Sequence, residues 1–208
     1  MQASPYKQVN LENKSVRHIL RAAQDLWTRD GYHGASLKEI AAAAGVAKSL
    51  VHYHFESKAH LLISLQADWC HRTARAIRAR VATTPPSAAA ALAALDQVWD
   101  AMVLTRAQFP FAIELWRQSV TNPSVRERLR AFDRELCALY GEGLLATLGP
   151  LAGQLVLPVA RAAALIQAVL DGICLHLFLE DDVAAVRRTF DDAKALLMGS
   201  LLRPGGRS

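Results

Sequence analysis

The sequence predicts an all-α fold in two parts, and three observations carry that reading. Ala and Leu dominate a chain of 208 residues that is 52% hydrophobic and 21% charged, and β-branched runs are scarce; such a composition favours helix over strand. Apolar residues recur at i, i+3 and i+4 along most of the chain. Gly and Pro fall between the periodic segments, where they act as punctuation. The length suffices for one or two domains and a sizeable core.

The elements follow in order. Residues 1–14 read as a polar arm. Ser15 is expected to cap a helix with the stripe Val16, Ile19, Leu20, Ala23 and Trp27, ended by Gly31. Ser36 and Glu39 form a capping box that opens a second helix, with Leu37, Ile40, Ala41 and Ala44 inward and Gly45 as its stop. A third, short helix spans about Ala47 to Tyr53, with Leu50, Val51 and Phe55 inward. These pieces make up an N-terminal domain over 1–57.

The second domain, 58–208, opens with a long helix from about Lys58 to Val81, with Leu62, Leu65, Trp69, Ala76 and Ile77 inward. The stretch TTPPS at 83–87 breaks it, and Ser87 caps the next helix, which carries Leu92, Leu95, Trp99 and Met102. FPF at 109–111 reads as another break before a short helix with Ile113, Leu115 and Trp116. Ser124 and Glu127 read as a second capping box, opening a helix to about Leu148 through Val125, Leu129, Phe132, Leu136 and Tyr140. GPLAGQLVLP is expected to be a loop or partly ordered. Two last helices span about Pro158–Glu180 and Asp182–Leu202, and RPGGRS is expected to fray.

Charge and cysteines bound the function. The net charge is +5, and residues 1–58 hold eight Lys/Arg against five Asp/Glu; a basic first quarter permits an anionic partner without naming it. Cys70, Cys137 and Cys174 are scattered and odd in number, the pattern of reduced thiols in a cytoplasmic protein. The first residues lack the apolar core of a signal peptide. The most apolar window, Ala162–Leu179, contains Gln167, Asp171 and His176, which points to a buried helix and no membrane.

The short third helix poses the functional question. Two turns do not hold together alone in water, so its neighbours must pin it. Two short helices joined by a Gly-containing turn suit a helix-turn-helix, whose second helix enters the DNA major groove. The side chains fit: Lys48 brings charge to phosphate, Ser49 is a small donor, and His52, Tyr53 and His54 carry donors on rigid rings. Ser36 with Lys38, and Ser57 with Lys58, open helices whose free N–H groups favour phosphate.

The run GYHGASLKEIAAAAGVAKSLVHYHFESKAHLL resembles the DNA-binding domain of the tetracycline-repressor (TetR) family of bacterial regulators. The residues that carry the resemblance are Gly31, Gly34, Ser36, Ile40, Ala41, Ala44, Gly45, Val46, Leu50, Tyr53, Phe55, Ser57, Lys58 and Leu61. The resemblance implies a homodimer on double-stranded operator DNA, a helical C-terminal ligand-binding and dimerisation domain, and repression released by a small molecule. Two positions depart from the family pattern. Ala47 stands where the family often has Ser or Thr, and His52 where it often has Tyr.

In the C-terminal part, Trp69, Trp99, Met102, Trp116 and Tyr140 each read as core packing when taken singly. Coming from several helical segments, together they are expected to converge around a ligand space. Gln167, Asp171 and Cys174 share one helix face and supply its polar groups, although Asp171 equally suits a carboxylate satisfied by a neighbouring helix. Val169, Gly172 and His176 lie on another face. The last helix carries a narrow stripe of Val183, Val186, Phe190, Ala193, Leu197 and Leu201, the spacing of a helix-on-helix seam. By itself that stripe is compatible with intramolecular packing. The resemblance turns it, with Gly172 and His176, towards a dimer interface.

Other classes fit less well. The chain shows no Gly-rich phosphate loop, HExxH or serine elbow, so an enzyme is not expected, and no cofactor is implied. His52, His54, His60, Cys70 and His71 lack metal-ligand spacing. The alternative to an effector-responsive regulator is an architectural or metal-sensing DNA-binding protein without an organic ligand.

Overall fold

A computed structural model describes residues 9–81 and 83–202. Residues 1–8 of the expected arm over 1–14 and the tail over 203–208 lie outside the described residues, as do the side chains of the expected inward positions Ala76 and Ile77. Nine α-helices are assigned among those residues, and the chain divides into two compact units. One takes the described residues up to His71 together with Ala107–Asp133; the other takes Arg72–Arg106 and Arg134 onward. The expected boundary between 57 and 58 thus falls inside the first unit.

In the first unit, α1 (Lys14–Gly34) is capped by Asn13 rather than Ser15. The Asn13 side chain accepts from the Ser15 and Val16 N–H groups at 2.9 and 3.2 Å, and its own backbone is extended, as a cap requires. Gly31, at φ 76°, kinks the helix without ending it. α2 (Leu37–Ala43) opens on the expected capping box: Ser36 N–H donates to Glu39 Oε2 at 2.7 Å, and Glu39 N–H donates to Ser36 Oγ at 3.3 Å. Gly45, at φ 66°, turns the chain into α3 (Lys48–His54). α4 (Lys58–Val81) follows.

The core of this unit joins Ile19 and Trp27 of α1, Ile40 of α2, Val51 and Phe55 around α3, and Leu61 and Leu62 of α4. Val51 and Phe55 are fully buried. Each contributes about 1.5–3 kcal/mol, which stabilises a helix of two turns that has little stability of its own.

Two sequence expectations change in the same unit. FPF opens α6 (Phe109–Thr121) instead of breaking the chain, because Pro110 sits in the first turn, where its missing N–H is not needed. Phe111 and Leu115 are buried one turn apart, and Phe111 lies edge-on to Trp27 at 6.1 Å. α7 (Pro123–Leu148) is capped by Asn122, which accepts from Ser124 and Val125 N–H at 3.0 and 3.3 Å. The anticipated Ser124–Glu127 box is displaced by that earlier cap.

The second unit holds α5 (Ala88–Thr105), most of α7, α8 (Val159–Leu179) and α9 (Val183–Leu201). Ser87 caps α5 as expected, accepting from Ala90 N–H at 3.0 Å. GPLAGQLVLP is ordered. It begins as a 3₁₀ turn, Gly149–Gln154, and then pairs Leu155 with Leu202 in an antiparallel bridge. Gly149 has φ 54°, and a Cβ there would meet Pro86 at 2.7 Å, so only glycine fits.

α8 is long and apolar enough to cross a bilayer, as are Ala88–Thr121 and Pro123–Gln154. In the fold α8 packs on α9 and buries Ile166, Gln167, Leu170, Ile173 and Leu177.

The α9 stripe expected at a dimer seam packs largely within the chain itself. Val186, Phe190 and Leu201 are buried within the chain's own second core, with Val183 and Leu197 packed against them. The stripe covers α5 and α8 of the same chain, because the unit must first close its own core. Phe190 meets Trp99 at 5.1 Å. Beside them, Arg187 and Lys194 each reach Asp96 at 2.6 Å and Asp191 at 2.9 and 3.1 Å, clamping α9 to α5.

Candidate nucleic-acid interface and apolar cavity

α3 turns Val51 inward and leaves Lys48, Ser49, His52 and Tyr53 exposed, with Tyr53 64% exposed. Helix periodicity turns Ser49, His52 and Tyr53 away from Val51, and Lys48 is exposed at the first turn of the helix. Tyr53 and His54 stand edge to face at 5.0 Å; His54 is half-buried and also neighbours the Phe55 ring. Ala47 caps α3 without a side-chain bond, consistent with the hydroxyl missing there. Lys38 is exposed on α2.

Two of the expected phosphate contacts are engaged elsewhere. Ser36 Oγ accepts from Glu39 N–H and donates to Glu39 Oε2 at 2.8 Å, so its hydroxyl closes the capping box. Hydrogen bonds from Ser36 hold the Glu39 carboxyl below the ordinary range. Lys58 is half-buried, with its ammonium 4.4 Å above the Tyr32 ring. Burial pulls its amine below the ordinary lysine value, against the opposing effect of Glu114 and Glu39. The seat on Tyr32 was not legible in the sequence, because a cation–π pair needs the tertiary approach of two helices.

The second unit contains a cavity of about 60 Å³. α5 contributes Leu95 and Val98, α7 contributes Tyr140, Gly143, Leu144 and Thr147, α8 contributes Ile166, and α9 contributes Leu197, Met198 and Leu201. Of the eight residues expected to contact a ligand, Tyr140 lines this cavity. Trp69 and Trp116 belong to the first unit, and Trp116 is 42% exposed, edge-on to Phe109. Trp99 and Met102 are buried in the second core. Gln167 is buried and accepts from Cys137 Sγ at 2.7 Å. Asp171 is exposed, and the Cys174 thiol is pushed up to about 12 by burial, with the Asp171 charge adding to it. The large residues of one helical body went to its cores, since aromatic rings are its largest apolar payload. The missed lining residues on α7 share the face of Tyr140 by i, i+3 and i+4 spacing, and extending that stripe to Gly143, Leu144 and Thr147 was the available signal.

Comparisons with known proteins now bear on these two features. A family model described as "Bacterial regulatory proteins, tetR family" matches residues 19–65, the stretch that builds α2, α3 and most of their supports. Over these residues the chain is similar to TetR-family regulators. A curated relative, the HTH-type transcriptional activator FasR of Mycolicibacterium smegmatis (strain ATCC 700084 / mc(2)155), is 30% identical over 82 residues. That match spans 39% of this chain and 37% of the relative, so the chain matches well under half the length of that curated protein.

Solved structures agree over more of the fold. A transcriptional regulator from Saccharomonospora viridis in complex with choline superposes with TM-score 0.69 at 19% identity, covering 92% of this chain and 99% of that one. The transcriptional regulator FadR from Bacillus subtilis in complex with stearoyl-CoA superposes with TM-score 0.62 at 20% identity, covering 89% and 98%. At these identities the likeness is one of fold.

Proposed function

We propose that this chain is a homodimeric regulator of transcription that binds double-stranded operator DNA through α3 and is released from it, as a repressor, by a small, mostly apolar effector. The observation that carries the reading is the outward face of α3. Lys48, Ser49, His52 and Tyr53 stand exposed on a helix whose opposite side is fixed by Val51 and Phe55. A rigid, polar, two-turn helix on a basic domain has the chemistry for the major groove.

Three further features support the rest. α8 and α9 leave apolar side chains outward: Leu165, Leu175, Phe178 and Leu179, with Leu196 71% exposed. Gly172 and His176 are exposed on α8 as well. Such a face suits the same surface of a second copy. The cavity supplies a place for an effector, and the choline and stearoyl-CoA complexes show that proteins of this fold hold small molecules. α4 begins directly after the DNA-reading segment and ends in the other unit, so it is the element that passes effector occupancy to the spacing of the two recognition helices. The effector must bind the two states unequally for this to work.

Mobility shifts on a pool of random duplexes test the reading. The wild type selects a two-half-site sequence whose centres lie about 34–36 Å apart, and Tyr53→Ala loses selectivity at particular base positions. Equal binding of every duplex by wild type and Tyr53→Ala would defeat it. The FasR relative is named an activator, so a reporter under the selected operator gives the sign separately: a repressor lowers its output.

A further inference from the structure

We propose that the cavity of the second unit seats an uncharged aliphatic group and that Gly143 is the position that keeps the seat open, an inference that rests on the effector-responsive reading above and narrows its ligand. Its walls are almost entirely hydrocarbon. None of the described lining residues is charged, and the polar side chains among them are Tyr140 and Thr147. Thr147 Oγ1 already donates to the Gly143 carbonyl at 2.8 Å, with the Leu144 carbonyl at 3.3 Å. An ion entering this space sheds water and meets no counter-charge among the described lining residues, which disfavours a carboxylate or a phosphate. Tyr140 offers one ring, short of the aromatic cage that holds a quaternary ammonium. An aliphatic group gains the burial and gives up nothing.

Size sets the second limit. A cavity of about 150 Å³ holds benzene in an engineered protein. The space here, about 60 Å³, takes roughly two or three carbons by the same measure, the end of a short alkyl chain.

Gly143 explains why there is space at all. Glycine is disfavoured in a helix interior, so its presence on α7 needs a reason. A Cβ built on Gly143 meets nothing within 4 Å. Tyr140, Gly143, Leu144 and Thr147 follow one another at helical spacing and all line the cavity, so a side chain at 143 grows into it. Gly141 differs: a Cβ there would make ordinary contact with Val159 at 3.5 Å and Ala163 at 3.8 Å, so it faces packed side chains and no open space.

The test uses the full chain labelled with ¹³C at its three methionine methyls. Met198 lines the cavity, whereas Met102 sits in the core away from the lining. Butan-1-ol, n-butyrate and choline are the probes, titrated at neutral pH in the absence of DNA. Butan-1-ol shifts the Met198 signal in a saturable way and leaves Met102 in place; butyrate and choline bind at least tenfold more weakly. Gly143→Leu fills the space and abolishes the Met198 response while far-UV circular dichroism is unchanged, and Gly143→Ala weakens it. Butyrate or choline moving Met198 as readily as butan-1-ol overturns the proposal, on the wild type alone. So does an undiminished butan-1-ol response in either Gly143 variant, or a Met198 signal that no probe moves. The regulatory reading is scored apart, by operator binding. Butan-1-ol that occupies the seat without changing operator affinity leaves the seat standing and removes the switch; a charged effector that releases DNA keeps the switch and removes this seat.

Discussion

Lys48 and Lys58 bring the same charge into different surroundings. Lys48 is exposed on α3, and Lys58 lies over Tyr32. Lys48→Ala is therefore expected to weaken binding to all duplexes and to lower the salt slope of log K by about one. Lys58→Met is expected to leave that slope unchanged and to lower stability by about 0.5–1 kcal/mol, the scale of a lost cation–π contact. Fluorescence anisotropy at several salt concentrations, beside urea unfolding, separates the two. Glu114 is a second residue whose partners matter. It accepts from Arg117 at 2.7 and 2.9 Å and from Gln118 at 2.7 Å, and these bonds hold its carboxyl below the ordinary value. The unfolded chain then takes up the proton more readily than the folded one. The stabilisation is complete above about pH 4.3, the unfolded value, and fades as the pH falls through the folded one. Glu114→Gln should be less stable than wild type at pH 7, with the gap narrowing as the pH falls through the acid range, read from urea midpoints. Cys174 makes a third case. With its thiol pushed up to about 12, it holds about a thousandfold less thiolate at pH 8 than an ordinary thiol, and native-state labelling by DTNB should spare it until the protein unfolds.

At the scale of elements, the clamp between α5 and α9 decides how firmly the last helix is held. Asp96 receives both Arg187 and Lys194, and Arg187 also stacks 5.3 Å above the Trp99 and Phe190 rings. The groups are partly exposed, so the network is worth less than its short distances suggest. Asp96→Asn is expected to cost about 1 kcal/mol at low salt and visibly less at 0.5 M NaCl, where screening has already weakened the wild-type pairs. Equal costs at both salts would show that Asp96 acts by packing alone. Helix starts follow a similar local logic. Ser36 and Ser87 were readable as caps because a hydroxyl stood where a periodic stripe began. Asn13 and Asn122 were not read, since in each case a nearby Ser offered an equally good local pattern and only the extended backbone of the Asn chose between them.

For the whole molecule, the two apolar faces of α8 and α9 have separate fates, and substitutions tell them apart. Leu175→Asp or Leu196→Asp places charge on an outward face and should yield folded monomers by light scattering, with operator binding lost. Phe190→Asp places charge against Trp99 in the core and should unfold the second unit, lowering the thermal midpoint instead of only splitting a dimer. Folded dimers from both outward variants would move the subunit contact elsewhere.

The sequence by itself determined the helical class, the order of the helices and the segment proposed to read DNA, for one physical reason. Each depends on residues close in the chain: caps, apolar periodicity and the Gly45 turn between two short helices. The outward positions of Ser49, His52 and Tyr53 follow from Val51 once the helix exists, and Lys48 is exposed at its first turn. The cavity, the cation over Tyr32 and the inward turn of α9 depend on which helices meet across long stretches of chain. Periodicity marks an apolar face without saying what covers it, so Phe190 and Leu201 looked the same whether their cover came from the same subunit or another. Only the tertiary structure decided that, because the subunit's own α5 and α8 lie close enough to bury them.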